Sequence, residues 1–406
     1  MKFRQKPLIQ AMCLILPSVT TAAEFGVTQS NDDGTGMIPN SLSWAILQAN
    51  TNAEDDLIVL RTDVTLTGVM KRIIDSNITI TSDKTRRSID GSGQYRPLFV
   101  KSGTVTITNM DINNGAARGG NPGGAGMGGS LFVYDGSVSI SDVTITNSLA
   151  YGGSGSGPGG GGMFGDGFVD FNYNGGGGGL FASANGNTGG YGGYGLYSDK
   201  LMTFGRGGAS LFKGGFGGGG GSGYSSSGRG GFGGAGGYCY CYFLTYPGIG
   251  GFGGMVGNAG IGYRRNAIRR GSDTVNGYGA SFAGGAGMGG AIFVRSGDLD
   301  LNTVSFINNE AAGRTSTNFT SKGLGGALFV LHTLTNSNNN NQGMPDALPN
   351  VSACDVTFSN NLASGDTETD NNNDDIFDLG NRINQGQPVP GIPPCEDTIF
   401  SDGFDQ

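Results

Sequence analysis

Apolar and polar positions alternate along this chain in a pattern that returns. In Leu98 to Asn114, LFVKSGTVTITNMDINN, an apolar run is followed by two alternating runs carrying Val105 and Ile107, then Met110 and Ile112. Period-two alternation marks a strand with one buried face. Shifted by 33 residues the pattern covers Leu131 to Asn147, with Gly103 on Gly136, Val105 on Val138, Ile107 on Ile140 and Ile112 on Ile145. A further shift of 161 brings it to Ile292 to Asn308, where Leu299, Leu301, Val304 and Phe306 fill the same slots. A fourth copy opens with GGALFV at Gly325 and closes with VTFSNN at Val356. An Asn-rich stretch, LHTLTNSNNNNQGMPDALPNVSACD, separates its halves and reads as a loop.

One copy alone buries almost nothing, whereas stacked copies with parallel strands share a continuous apolar interior. The pattern therefore predicts an all-β chain, a right-handed parallel β-helix or solenoid. Before the repeats, SLSWAILQAN places Leu42, Ala45, Ile46 and Ala49 at helical spacing, with Asn40 or Ser41 able to cap the first turn. This predicts a short N-terminal capping helix closing an otherwise open apolar end.

Two residue types punctuate the copies. Asn114, Asn147, Asn308 and Asn360 each close a third run, where Asn tolerates a left-handed corner and stacked amides can form a ladder. Gly129, Gly290 and Gly326 complete the glycine pair before each apolar run, where positive φ or close backbone approach calls for glycine.

Between the second and third copies the pattern stops. From Tyr151 to Gly290 the chain carries 55 of its 82 glycines, with fragments such as GGGLFASA and GGASLFKGG retaining only the first third of a copy. Ordering so much glycine costs backbone entropy that little apolar burial offsets, which predicts an insertion looped out from the stack. Its aromatics, in YGGYGLY and GGYCYCYFLTYPGIGGFGG, read as a small core for that loop, or else as a contact surface. Arg264, Arg265, Arg269 and Arg270 form a basic cluster that reads as a solvated loop.

The first residues pair Lys2, Arg4 and Lys6 with an apolar run from Leu8 to Leu16 and the small-residue stretch SVTTAAE, the layout of a secretory signal peptide cleaved after Ala23. The expected organisation is a signal peptide over 1–23, cap and first coils over 24–150, glycine-rich insertion over 151–283, further coils over 284–380 and a tail over 381–406. No stretch is apolar for long enough to span a membrane as a helix. In a secreted chain Cys239, Cys241, Cys354 and Cys395 are candidates for disulfides, with Cys354–Cys395 and Cys239–Cys241 preferred and crossed pairings left open.

A net charge of −8, with 14% of residues charged, leaves no basic stripe for nucleic acid. Candidate carboxylate pairs for catalysis are Asp55 with Asp56, Asp298 with Asp300, and Asp374 with Asp375. The sister copy carries Ser137 and Ser139 where Asp298 and Asp300 stand, which points to a solvated face. The single His332 lies in LHT and reads as structural. No metal site is assigned; SGDTETDNNNDDIFD could hold calcium, although its ligand spacing matches no defined loop.

DDGTGMIPNSLSWAILQANTNAEDDLIVL resembles the opening segment of secreted bacterial right-handed β-helix proteins of the Cys-Ser-Leu-Arg-Glu-Ala type. GGAIF and GGALF, paired with FINN and FSNN, resemble the half-motifs of polymorphic outer membrane protein repeats. The resemblance covers roughly residues 27–150 and 284–380 and implies the same fold. Hydrolases of that fold also carry Gly-His-Gly and Arg-x-Lys motifs; the first does not occur here, and the second occurs only at Arg4–Lys6, inside the expected signal peptide. The function expected is a secreted or surface-held, non-catalytic protein, adhesin-like or structural, contacting glycans or surface proteins as a monomer or weak self-associate. The alternative is a polysaccharide-active lyase or glycoside hydrolase.

Overall fold

The computed structural model describes residues 22–52, 54–154, 160–168, 177–185, 206–208, 212–222, 227–237, 248–255, 284–314, 321–364, 374–378 and 383–385. Among the described residues, the regular elements apart from the helix Leu42–Thr51 are strands, and every strand pairing is parallel. The longest sheet runs Glu24–Val27, Asp56–Leu60, Ile78–Ser82, Thr104–Asn113, Ser137–Thr146, Asp298–Ile307, Asn350–Ser359 and Ile383–Gln385. A second sheet carries the apolar runs, with Leu98–Ser102, Leu131–Val133, Ile292–Val294 and Leu328–Val330 as neighbours. Two smaller sheets stack Ala116–Arg118, Leu149–Tyr151, Glu310–Ala312 and Leu362–Ser364, and Gly126–Met127, Gly287–Met288 and Gly323–Leu324.

The duplicated passage is explained by this pairing. Leu131, Phe132 and Val133 lie against Ile292, Phe293 and Val294, and Ile140 against Leu301, so copies 161 residues apart in sequence are adjacent in space. Within each copy, alternate side chains enter one core. Val105, Val138, Leu299 and Val351 stack in one column, and Ile107, Ile140 and Leu301 in the next, all 2% exposed or less.

The helix covers one end of that core. Leu42, Ala45, Ile46 and Ala49 are at most 1% exposed and pack into it, as the helical spacing predicts. Ser41 caps the first turn by accepting from the Trp44 amide at 3.2 Å. The buried Asp32 carboxylate secures the approach, accepting from the Ser43 amide at 2.5 Å, its hydroxyl at 2.6 Å and the Gly34 amide at 2.8 Å.

A second apolar cluster forms on the opposite side of the Leu-Phe-Val strands, because successive side chains of a strand point to opposite faces. Leu131 and Val133 enter the first core, and Phe132 joins the second. Phe99, Phe132, Phe293, Phe329 and Phe377 stack ring on ring, with centroids 4.8–5.0 Å apart and planes within 13°.

The glycine tract covers this column. The sequence suggested an excursion away from the repeats, but the described runs lie flat on the phenylalanines and hydrogen-bond to the repeats, as in Ala125 N–H to Gly217 O and Ala286 N–H to Gly233 O. Among the described residues, its Phe181, Phe216, Phe232 and Phe252 join the cluster of the repeat phenylalanines. Gly-Phe-Gly-Gly recurs three times as a turn closed by Gly218 to Gly215, Gly234 to Gly231 and Gly254 to Gly251 bonds of 2.8–3.0 Å. The third turn residue, Gly217, Gly233 or Gly253, has φ of 74–76°, which a type II turn reserves for glycine. The residue before it is Phe216, Phe232 or Phe252. These rings stack at 5.2 Å, and the first two meet the other column nearly edge-on, Phe216 against Phe293 at 6.0 Å and Phe232 against Phe329 at 6.2 Å.

Between the turns, glycine amides bond sideways to different neighbours. Gly160 donates to Gly208, Gly161 to Pro122, Gly219 to Gly161 and Gly220 to Ala235, all at 2.6–2.8 Å. The bonds of one run thus reach several neighbours and do not form a single strand ladder. Spacing is so close that a Cβ on Gly231 would sit 1.7 Å from the Gly215 carbonyl oxygen. The entropy of ordering glycine is thus offset by backbone hydrogen bonds and by sealing the rings beneath.

The Asn-rich loop fastens the edge of this layer. Asn336, Asn338 and Asn340 are 1–3% exposed. Asn338 Nδ2 donates to the Gly230 and Ile249 carbonyls, Asn340 Nδ2 to those of Gly214 and Gly230, and Asn336 Oδ1 accepts from the Phe252 amide.

Two substitutions distinguish the clusters. Ile140→Asp places an unpaired charge in the first core and is expected to abolish cooperative urea unfolding. Phe232→Ala is expected to cost about 3–5 kcal/mol by the same measurement while leaving far-ultraviolet dichroism intact; a loss below about 0.5 kcal/mol would place that ring in solvent.

Candidate functional site

The outward face of the long strands is the surface on which the repeats present chemistry. Thr106, Ser139, Asp300 and Ser352 form one column across it, and Thr108, Ser141, Asn302 and Cys354 the next. After a corner, Asp111, Thr144, Ser305 and Thr357 form a third. They alternate with the buried aliphatic columns, so the register that builds the core also aligns these groups. Neighbouring strands lie ~4.8 Å apart and like-facing residues ~6.6 Å apart along a strand.

The columns are internally bonded. Ser141 donates to Thr108 Oγ1 at 2.9 Å, Thr146 to Asn113 Oδ1 at 2.5 Å and Thr357 to Ser305 Oγ at 2.9 Å. At one end Arg86 bridges two strands, pairing with Asp111 at 2.8 Å and Asp142 at 2.9 Å and donating to the Met110 carbonyl. Burial depresses its pKa, but the bonds and charges of Asp111 and Asp142 outweigh that and the net shift is upward.

The candidate catalytic carboxylates do not converge. Asp298 accepts from Asn350 Nδ2 at 3.0 Å, and Asp300 accepts from the Ser352 hydroxyl, each across one strand. Asp55 is bonded by Asn77, whereas Asp56 is buried and accepts from the Ala23 amide and Asn52. Asp374 accepts from the Ala363 amide and Asp375 from Asn361, so both serve backbone and side-chain bonding at the last repeat. Among the described residues no three His, Cys, Asp or Glu side chains come together as metal ligands. Most of the acidic run considered for calcium, residues 365–373, lies outside the described residues.

The corner residues fall into two kinds. Asn114, Asn147, Asn308 and Asn360 have φ of 52–55°. The amide ladder lies on the following residue. Asn309 Nδ2 donates to Asn361 Oδ1 at 2.9 Å, Asn361 Nδ2 to Asp375 at 2.8 Å, and Asn309 Oδ1 accepts from the Ser148 amide. The doubled Asn of FINN and FSNN was the available signal, the first member turning the chain and the second bonding along the stack. Sequence reading also missed a corner inside each long strand, at Asn109, Asp142, Thr303 and Asp355, with φ of 51–55°.

The glycine pairs divide their labour in the same way. Gly128, Gly289 and Gly325 carry positive φ. Gly129, Gly290 and Gly326 sit where backbones touch, since a Cβ on Gly290 would lie 1.9 Å from the Gly326 oxygen.

Cys354 is disulfide-bonded. Cys239, Cys241 and Cys395, the Arg264–Arg270 cluster, YGGYGLY, residues 1–21 and the tail beyond residue 385 lie outside the described residues. No described helix is long and apolar enough to cross a membrane. Comparison with family models, curated proteins and solved structures yields no match to this chain.

His332 stands at the end of the phenylalanine columns, 5.0 Å from the Phe252 ring and 5.7 Å from Phe377, with Nδ1 buried and without a hydrogen-bond partner. Burial lowers its pKa from 6.5, and the charge of Asp378 offsets only part of that. The unfolded chain therefore binds the proton more readily, so this contribution to stability is complete above pH 6.5 and declines as pH falls below it. His332→Leu is expected to flatten the drop in urea midpoint between pH 7.5 and pH 5.5; an unchanged drop would assign the pH dependence to other groups.

Proposed function

We propose that the parallel sheets are the walls of a right-handed β-helix, and that this helix is a secreted, non-catalytic surface protein, adhesin-like or structural, which holds glycans or proteins along the outward face of its long strands. The helical closure is supported by chain order. In each of the later repeats the chain passes through the Gly-Met or Gly-Leu strand, the Leu-Phe-Val or Ile-Phe-Val strand, the ten-residue strand and the short alanine-containing strand before starting again. Connections between parallel neighbours in one sheet are right-handed in nearly all proteins.

The binding role rests on one observation, the in-register columns of Ser, Thr, Asn and Asp spanning Thr104–Asn113, Ser137–Thr146, Asp298–Ile307 and Asn350–Ser359. A repeating array of short donors and acceptors suits a repeating polymer, since many weak contacts add when their spacing is commensurate. The carboxylates on that face are held by neighbouring donors rather than aimed at a common point, which favours binding over bond cleavage. Export is supported by the disulfide at Cys354, because such bonds persist in oxidising compartments.

Purified protein on an array of glycans and matrix proteins is expected to retain a polymeric ligand. Thr106→Arg with Ser139→Arg, two outward neighbours, is expected to weaken retention about tenfold with unchanged melting temperature. Retention untouched by the double substitution would move the contact face elsewhere. Turnover of a pectin, alginate or glycosaminoglycan at ordinary enzymatic rates would replace the binding role with catalysis.

A further inference from the structure

At the start of the phenylalanine column, where the glycine layer first meets the repeats, a cavity of about 20 Å³ lies among Met70, Phe99, Met163, Leu180 and Phe181. Its polar lining includes Arg96 and Arg118. That volume holds one water or one monatomic ion.

Both guanidiniums are anchored by carbonyl oxygens. Arg96 Nε donates to Gly128 O at 2.8 Å and Nη2 to Met127 O at 2.6 Å, with its cation 5.9 and 5.6 Å from the ring centres of Phe99 and Phe132. Arg118 Nη2 donates to Gly93 O at 2.8 Å and the cation lies 5.2 Å over Tyr151, while its Nε is buried with no hydrogen-bond partner. Among the described residues neither arginine forms an ion pair. Burial lowers the Arg96 pKa to about 9, with no carboxylate opposing it, so the group stays charged at neutral pH.

Two half-buried cations beside one apolar cavity, one of them with a buried donor left unused, carry positive charge that no described carboxylate offsets. Water would satisfy the Arg118 N–H but leave the charge uncompensated. We propose that this cavity is a halide site, in which one chloride accepts from Arg118 Nε–H and is balanced by the Arg96 and Arg118 cations. Its small volume favours a monatomic ion over a tetrahedral oxyanion. Its place gives the ion a structural effect, joining the Leu98–Ser102 strand to residues 160–168 and 177–185 of the glycine layer.

The test uses the full chain at fixed ionic strength, with sodium chloride replaced stepwise by sodium gluconate or sodium sulfate. A ligand that binds only the folded state raises the melting temperature with its concentration. Chloride and bromide are expected to raise it by ~2 °C per tenfold increase above half-saturation, and Arg118→Gln to remove that rise. An equal response to gluconate or sulfate, or an undiminished response in Arg118→Gln, would overturn the proposal. If Arg118→Gln fails to fold, crystals of the unsubstituted chain grown in bromide decide. An anomalous peak within hydrogen-bond distance of Arg118 Nε supports the site, and no peak there contradicts it.

Discussion

Parallel in-register stacking is the constraint from which the rest of this molecule follows. Once Leu131 lies on Ile292 and Ile140 on Leu301, every position in a repeat is multiplied into a column with the chemistry of a single residue. An inward aliphatic residue becomes a dry spine. An outward hydroxyl becomes a row of hydroxyls. The outward Phe of each of the four apolar runs, continued by Phe377, becomes a ladder of five rings, which water would not tolerate as a free surface.

The glycine tract meets that demand with unusual economy of side chains. Only a backbone without Cβ atoms can pack several runs at the observed spacing, and only a turn with glycine in its third position can return the chain while driving a Phe into the ladder. Composition that alone reads as loop becomes a hydrogen-bonded cover, fastened at its edge by Asn336, Asn338 and Asn340. The two outward surfaces then differ in kind. One is dry and sealed by glycine, and the other is wet and lined by short polar groups, which is why the proposed contacts are placed on the second.

Much of this was legible in the sequence because repetition encodes register directly. Shifts of 33 and 161 residues predict which side chains touch, the stripe Leu42, Ala45, Ile46 and Ala49 predicts the helix, and Asn and glycine mark the turns. The cover was not legible, since its stability comes from backbone bonds that any glycine run could make and from aromatic spacing outside the strand period. Two signals pointed to it. Phe99, Phe132, Phe293 and Phe329 hold the outward slot in four copies, and Phe216, Phe232 and Phe252 recur inside Gly-Phe-Gly-Gly. The cavity beneath Arg96 and Arg118 had no sequence signature, because it arises only where the cover meets the first repeats.

Native-state hydrogen exchange tests the central claim most directly, because it reads the glycine amides themselves. If the tract is a bonded layer on the phenylalanine ladder, the amides of Gly217, Gly219, Gly231 and Gly234 exchange on the timescale of Ile140 and Leu301, protected by the bonds they donate. Exchange of those glycines at rates of an unstructured chain, with Ile140 and Leu301 still protected, would contradict it.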